Sequence, residues 1–241
     1  MCPGRFFRKT TMSHKRILVL GIGNLLWADE GFGVRCVEAL NAGWEFPPEV
    51  TLMDGGTQGL YLLPYVQEAD CLLVFDAVDY GDAPGTLREV VGDQVPRFMG
   101  AKKMSLHQTG FQEVLMAAEL TGKLPAELVL IGVQPEELED YGGSLRDVVK
   151  AQMRPALDVA FRWLERWGAA AQARSGEAEA ITDTALAIDV YEGERPPADQ
   201  AFRLGDARFL NMENTTPTRA SHAAPQGGAP LPWGGPAGGA A

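Results

Sequence analysis

The chain has few residues able to do chemistry, and their spacing narrows the choice. It holds three histidines, His14, His107 and His222, so any imidazole-dependent step must use one of them. Carboxylates gather just after apolar runs. The first run leads into Gly21-Ile-Gly-Asn24-Leu-Leu-Trp-Ala-Asp29-Glu30-Gly-Phe-Gly33-Val, the second into Asp54-Gly-Gly-Thr57, the third into Asp76-Ala-Val-Asp79. A single acid in such a place is ordinarily just solvated. Asp76 is harder to dismiss. Five apolar residues run directly into it, so it should emerge at the rim of a core. Burial there raises a carboxyl's proton affinity unless a cation or donors compensate, and a bound metal ion is the simplest compensation. His107 lies in Met104-Ser105-Leu-His107-Gln108, read as a polar loop ahead of a helix over 110–121. Glu30, Asp76 and His107 would supply two carboxylates and one imidazole. Such a three-ligand set with open positions suits zinc, nickel or iron.

Other readings of the same residues are weaker. Gly21-Ile-Gly-Asn24 after a strand resembles the start of a dinucleotide fingerprint, with Asp54 placed to meet a ribose. The third glycine of that pattern would fall on Leu26, and Asp29-Glu30 would repel a pyrophosphate. Ser105, His107 and Asp76 could be arranged as a hydrolase triad, but no G-x-S-x-G elbow surrounds the serine. Cys36, on the apolar side of a helix, and Cys71, at the start of a buried strand, read as packing residues.

These positions need elements to hold them. Residues 16–22, 50–54, 71–76 and 128–133 read as strands, and the alternating 85–91 as an exposed or edge strand. Between them come helical stripes: Val34, Val37 and Leu40; Leu60, Leu63 and Val66, interrupted or kinked by Pro64; Phe111, Val114, Leu115 and Ala118. A last helix opens at Ser144 with Asp147 three residues on, a capping-box variant. Its stripe is Leu145, Val148, Val149, Met153, Leu157, Ala160, Leu164 and Trp167, kinked at Pro155 and stopped at Gly168. This alternation predicts an α/β fold with a mostly parallel central sheet of about five strands and helices on both faces. Ligands of such sheets gather beyond the carboxyl ends of the strands, where the acids stand.

Charge and composition mark the flanks. Lysine and arginine total 21 against 32 acids, a net charge of -11, which disfavours phosphate-neutralising nucleic-acid binding. No apolar run is long enough for a membrane span. Residues 1–15 are a basic leader, expected to be flexible, whose following apolar run is too short for a signal peptide; Met12 is an alternative start. Residues 16–168 form the domain. Residues 169–210 are either an accessory element packed on the domain, a partner-docking segment or a weakly structured extension. Residues 211–241, with 18 of 31 positions Gly, Pro or Ala, are expected to be disordered. Three cysteines fit a reducing, cytoplasmic setting.

The ordered motifs Gly21-Ile-Gly-Asn24-Leu-Leu-Trp-Ala-Asp29-Glu30-Gly-Phe-Gly33-Val, Asp54-Gly-Gly-Thr57, Asp76-Ala, Ala83-Pro-Gly-Thr86, Ser105-Leu-His107-Gln108 and Gly132-Val-Gln-Pro135 resemble those of the hydrogenase maturation endopeptidases. The resemblance covers roughly two thirds of the chain. It implies a three-layer α/β/α fold and metal binding through Glu30, Asp76 and His107, which would also be the catalytic residues. Asn24, Asp29, Asp54, Thr57 and Gln108 would support the site or the substrate. The implied reaction removes a C-terminal peptide from the large-subunit precursor of a nickel–iron hydrogenase after nickel insertion. The cofactor would be nickel supplied by the substrate's own centre, with other divalent metals able to substitute; an aspartic-type classification is an alternative. Implied partners are that precursor and other maturation factors. Rival readings are a non-catalytic assembly chaperone for the same precursor and a nucleotide-binding module on the same fold.

Overall fold

Five strands form one sheet in the order β3-β1-β4-β6-β5: β1 Ile17–Ile22, β3 Val50–Gly56, β4 Cys71–Ala77, β5 Leu87–Val91 and β6 Glu127–Val133. Strands β3, β1, β4 and β6 run parallel, and β5 pairs antiparallel with β6 at the edge. This computed structural model describes residues 15–99 and 106–193, with side chains described except at 97–99 and 106–109. All of these fall in the compact unit Met1–Arg203; the unit Leu204–Ala241 holds no described residue. Cys2, His14, Ser105, His222 and the segments 1–14 and 194–241 lie outside the description.

Strands β1, β3, β4 and β6 run parallel because helical crossovers separate them, and such strands must be apolar on both faces. Side-chain alternation then splits the core in two. Val19, Cys71, Leu73, Phe75, Val129 and Ile131 meet α1 (Phe32–Gly43) and α6 (Met153–Arg166) on one face. Leu18, Leu20, Leu72, Val74, Leu128 and Leu130 meet the buried side chains of the other face: Leu62, Val66 on α2 (Leu63–Glu68), Val95 on α3 (Gln94–Met99), and Phe111, Val114, Leu115 and Ala118 on α4 (Leu106–Leu120). Each fully buried valine, leucine, isoleucine or phenylalanine side chain contributes roughly 1.5–3 kcal/mol. The fold is thus the three-layer α/β/α arrangement expected. Asp76 continues the alternation of Leu72 and Val74, so β4 carries it out on the α4 side.

Several local expectations are corrected. α4 begins at Leu106, so His107 lies in its first turn rather than in a preceding loop. Pro64 sits in the first turn of α2, after a separate 3-10 turn Gly59–Leu62, and starts the helix where its missing N–H costs nothing. The last helix is two pieces, α5 (Asp147–Lys150) and α6, broken at 151–152 before Pro155. Ser144 does not cap it; its hydroxyl donates to Glu192 at 2.7 Å. Val148 in the proposed stripe is 37% exposed. Gly168, at φ +86°, does end α6: its N–H donates to the Glu165 carbonyl and that of Ala169 to Leu164.

Residues 169–193 pack on α1. β7 (Gln172–Ala173) pairs antiparallel with β2 (Trp44–Glu45). Arg35 of α1 is 3% exposed; it donates to Glu38 and to the Leu186 carbonyl, and its guanidinium lies 5.8 Å from the Tyr191 ring centroid. Thr182 bonds Glu38, and Glu192 of α7 (Ile188–Gly193) accepts from Lys150 and Ser144. Among the described residues no helix is long and apolar enough to cross a membrane.

Candidate active site

β4 lies between β1 and β6, so the turns leaving these three strands share one edge of the sheet. After β1 the chain makes a tight turn. Gly23 has φ +136°, and a Cβ there would stand 1.8 Å from the Glu30 carbonyl oxygen. A Cβ on Gly33 would meet the carbonyls of Ile22 and Phe75 at 2.3 Å. Only glycine lets α1 start this close to β1 and β4. The 3-10 turn Ala28–Gly31 is thereby seated against β4.

That turn carries Asp29 and Glu30, and their environments differ. Asp29 is fully buried, and both its oxygens accept backbone N–H groups of the segment after β6. Oδ2 takes those of Glu136 and Glu137 at 2.8 Å each, and Oδ1 that of Arg146 at 2.7 Å. Glu30 is 8% exposed, and burial pushes its carboxyl from 4.5 up to about 7. A buried carboxyl that holds its proton near neutrality is suited either to proton transfer or to meeting a cation.

Asp76 is completely buried near the end of β4, paired in register with Gly132 of β6. Space opposite it is filled by Tyr80. A Cβ on Gly132 would fall 1.8 Å from the Tyr80 hydroxyl oxygen. Burial, and secondarily the charge of Asp76, push the Tyr80 phenol far above its usual range. Gln134 holds the loop that carries Tyr80: its Oε1 accepts the N–H groups of Tyr80 at 2.7 Å and Asp82 at 3.1 Å, while Nε2 donates to Asp79 at 3.0 Å. Neither Tyr80 nor the role of Gln134 is apparent in the sequence. Only the glycine at 132 hints that a neighbour needs its side-chain space.

The other candidates sit around this pair of acids. The first turn of α4, with His107 and Gln108, lies at the same carboxyl edge, because Gly110 packs at van der Waals distance on Gly59, just beyond β3. Asp54 pairs with Gly21 at the register shift that precedes the last β3–β1 pair, Ile22 with Gly56, and burial raises its carboxyl, partly offset by a hydrogen bond from the Gly56 backbone. Thr57 is exposed. Asn24 accepts from the Leu26 N–H at 3.0 Å and so shapes the turn. Among the described residues no three His, Cys, Asp or Glu side chains form a metal-holding group; the His107 side chain is not among those described. The donor chemistry of two buried carboxylates on one edge fits a divalent ion, since a cation offsets what burial costs them. Cys36 and Cys71 are fully buried packing residues. Burial raises both thiols, Cys71 to about 11 even with Lys15 nearby.

A mostly parallel sheet with a glycine-tightened first turn and buried acids at its carboxyl edge defines an α/β/α protein whose candidate site is built from the segments after β1, β4 and β6. Residues 34–163 match the model of the hydrogenase maturation protease family, and the chain belongs to that family. It is 63% identical over 202 residues to the hydrogenase expression/formation protein HoxM of Azotobacter vinelandii, covering 84% of this chain and 98% of that protein. It is 43% identical over 169 residues to the hydrogenase 2 maturation protease of Escherichia coli, covering 70% of this chain and 99% of that one. The solved structure of the hydrogenase maturating endopeptidase HybD from E. coli superposes with a TM-score of 0.63 at 42% identity, over 66% of this chain and 98% of that chain.

Proposed function

We propose that this protein is the endopeptidase that removes the C-terminal peptide from a nickel–iron hydrogenase large-subunit precursor once nickel has been inserted. The observation that carries this reading is the pair of buried carboxyls at one sheet edge, Glu30 held near neutrality and Asp76 near the end of β4. The family and the relatives named above support a peptidase of this class. Glu30, Asp76 and His107 would meet the nickel that the precursor already carries, and other divalent ions could take its place. That nickel is part of the substrate, and it supplies Lewis acidity next to the scissile bond.

The chain's own residues then divide three tasks. Glu30 and Asp76 share the roles of metal contact and general base, one of them accepting the proton of the attacking water at a carboxylate oxygen. His107 completes the metal contact from the first turn of α4. The buried Tyr80 and the backbone around it keep bulk water from the far side of Asp76. Joining metal contact to catalysis makes cleavage depend on nickel loading, which explains why one site would both inspect and cut. Nickel-loaded precursor incubated with wild-type, Asp76→Asn and His107→Ala protein tests this, with large-subunit mobility on a gel as readout. Both variants should lose cleavage; unimpaired cleavage by both refutes the assignment. Efficient cleavage of nickel-free precursor refutes the dependence on loading.

A further inference from the structure

β1 and β6 are not neighbours in the sheet, yet the segments beyond them are tied together across the end of β4. We propose that Asp29 is a positioning residue of the hydrolytic reaction: its carboxylate fixes the backbone of residues 136–146 and so holds the turn carrying Glu30 over the strand end that carries Asp76. This rests on the peptidase reading above. Asp29 has no exposed surface, and its two oxygens take three backbone N–H groups at 2.7–2.8 Å. Charge-assisted bonds of this length are strong and directional. Both oxygens are thus committed to amides, which separates Asp29 from its neighbour Glu30 in the same turn.

The tie is two-sided. Asp29 N–H donates to the Glu137 carbonyl at 3.1 Å, and Gly142 N–H to the Leu26 carbonyl at 2.7 Å. Trp27 bridges to Tyr141 and Gly143, and its ring meets that of Tyr141 edge-on at 5.3 Å between centroids. Each of these contacts reaches one short stretch, 137 or 141–143. The Asp29 carboxylate alone among them joins two points ten residues apart, 136 and 146, to a single side chain next to Glu30. An amide in its place, as in Asp29→Asn, keeps the volume but turns one oxygen into a donor. At least one backbone N–H would then face an NH2 group. The turn would settle elsewhere, and misplacement by about an ångström costs on the order of 100-fold in rate.

The test uses full-length protein and nickel-loaded large-subunit precursor, with kcat and KM measured separately and amide exchange read over 135–146. For Asp29→Asn we expect faster exchange at Glu136, Glu137 and Arg146, a fall in kcat of about tenfold or more, and KM within about threefold. A second pair, compared with each other, isolates one backbone donor. Arg146 has φ -66°, which proline adopts without strain, so Arg146→Pro deletes the N–H that Asp29 Oδ1 accepts. Arg146→Ala deletes the side chain and keeps the N–H. Both variants lose the side-chain bond from Arg146 to Asp140 at 2.9 Å, so the backbone N–H is read from the difference: cleavage should fall further with Arg146→Pro than with Arg146→Ala. This pair decides the matter if Asp29→Asn does not fold. Unchanged exchange in Asp29→Asn, or faster exchange with kcat unchanged, overturns the proposal, as does equal activity of the two Arg146 variants. Glu30→Gln separates the two failures. If it cleaves like wild type, the peptidase site is misassigned and this inference falls with it. If it is inactive while Asp29→Asn and Arg146→Pro cleave normally, only the positioning role is refuted.

Discussion

Replacing Glu30 by glutamine should stabilise the metal-free protein in alkaline solution and not in acid. Burial raises the Glu30 carboxyl from 4.5 to about 7, so the folded protein holds a proton over a range where the unfolded chain has lost it. For a carboxyl raised in this sense the penalty is absent below the unfolded value, grows between the two values and is complete above the folded one. At 1.36 kcal/mol per pH unit the full penalty is about 3 kcal/mol, of which roughly 2.5 kcal/mol develops between pH 5 and pH 8. Glutamine has the shape of the protonated acid and cannot ionise, so the Glu30→Gln protein escapes this cost. Urea unfolding of both proteins, stripped of metal with a chelator, measures the difference at each pH. Glu30→Gln should gain about 2.5 kcal/mol on wild type on going from pH 5 to pH 8. A difference that stays constant, or that moves the other way, refutes the reasoning that Glu30 is an ionisable group trapped by burial. Nickel should narrow the gap at pH 8 by favouring the carboxylate, at about 2.7 kcal/mol for a hundredfold excess over Kd.

The packing leads to three more expected outcomes. Gly132→Ala drives a methyl into the Tyr80 hydroxyl and should cost about 1–3 kcal/mol by thermal unfolding, with part of the loss recovered in Gly132→Ala/Tyr80→Phe. Arg35→Ala strips a buried cation from Glu38 and the Leu186 carbonyl and should cost about 3 kcal/mol, with proteolysis speeding up within residues 174–193. Cys36 and Cys71, buried and with raised thiols, should resist a thiol reagent at pH 8 until the protein unfolds, which mass mapping of the labelled peptides checks.

Much of the architecture is legible in the chain, because parallel strands buried on both faces leave continuous apolar runs at 17–22, 71–75 and 128–133. The edge strand is equally plain, since β5 alternates. Helix ends are less legible. Ser144 and Asp147 look like a cap, yet the Arg146 N–H at the head of α5 answers to Asp29, more than a hundred residues earlier in sequence. No local pattern can announce a partner so distant. The acids at the strand ends are visible as a group, but not their division of labour. Asp29 and Glu30 are neighbours of the same charge. Only the segment after β6 makes one a buried anchor and the other a carboxyl poised near neutrality. Tyr80 is invisible for the same reason: its place is defined by an absent side chain on Gly132, two strands' worth of sequence away.

The tie across β4 also bears on how the chain matures during its own synthesis. Contacts between residue 29 and residues 136–146 have long sequence separation, so they close late. The turn holding Glu30 is made early, while the chain that fixes its position emerges from the ribosome more than a hundred residues afterwards. A nascent chain that has already paired β1, β3 and β4 therefore carries acids without a competent site. On the function proposed above, the site built on Glu30 and Asp76 is therefore among the last parts of the fold to be completed, and a half-made copy would have no means of cutting a precursor.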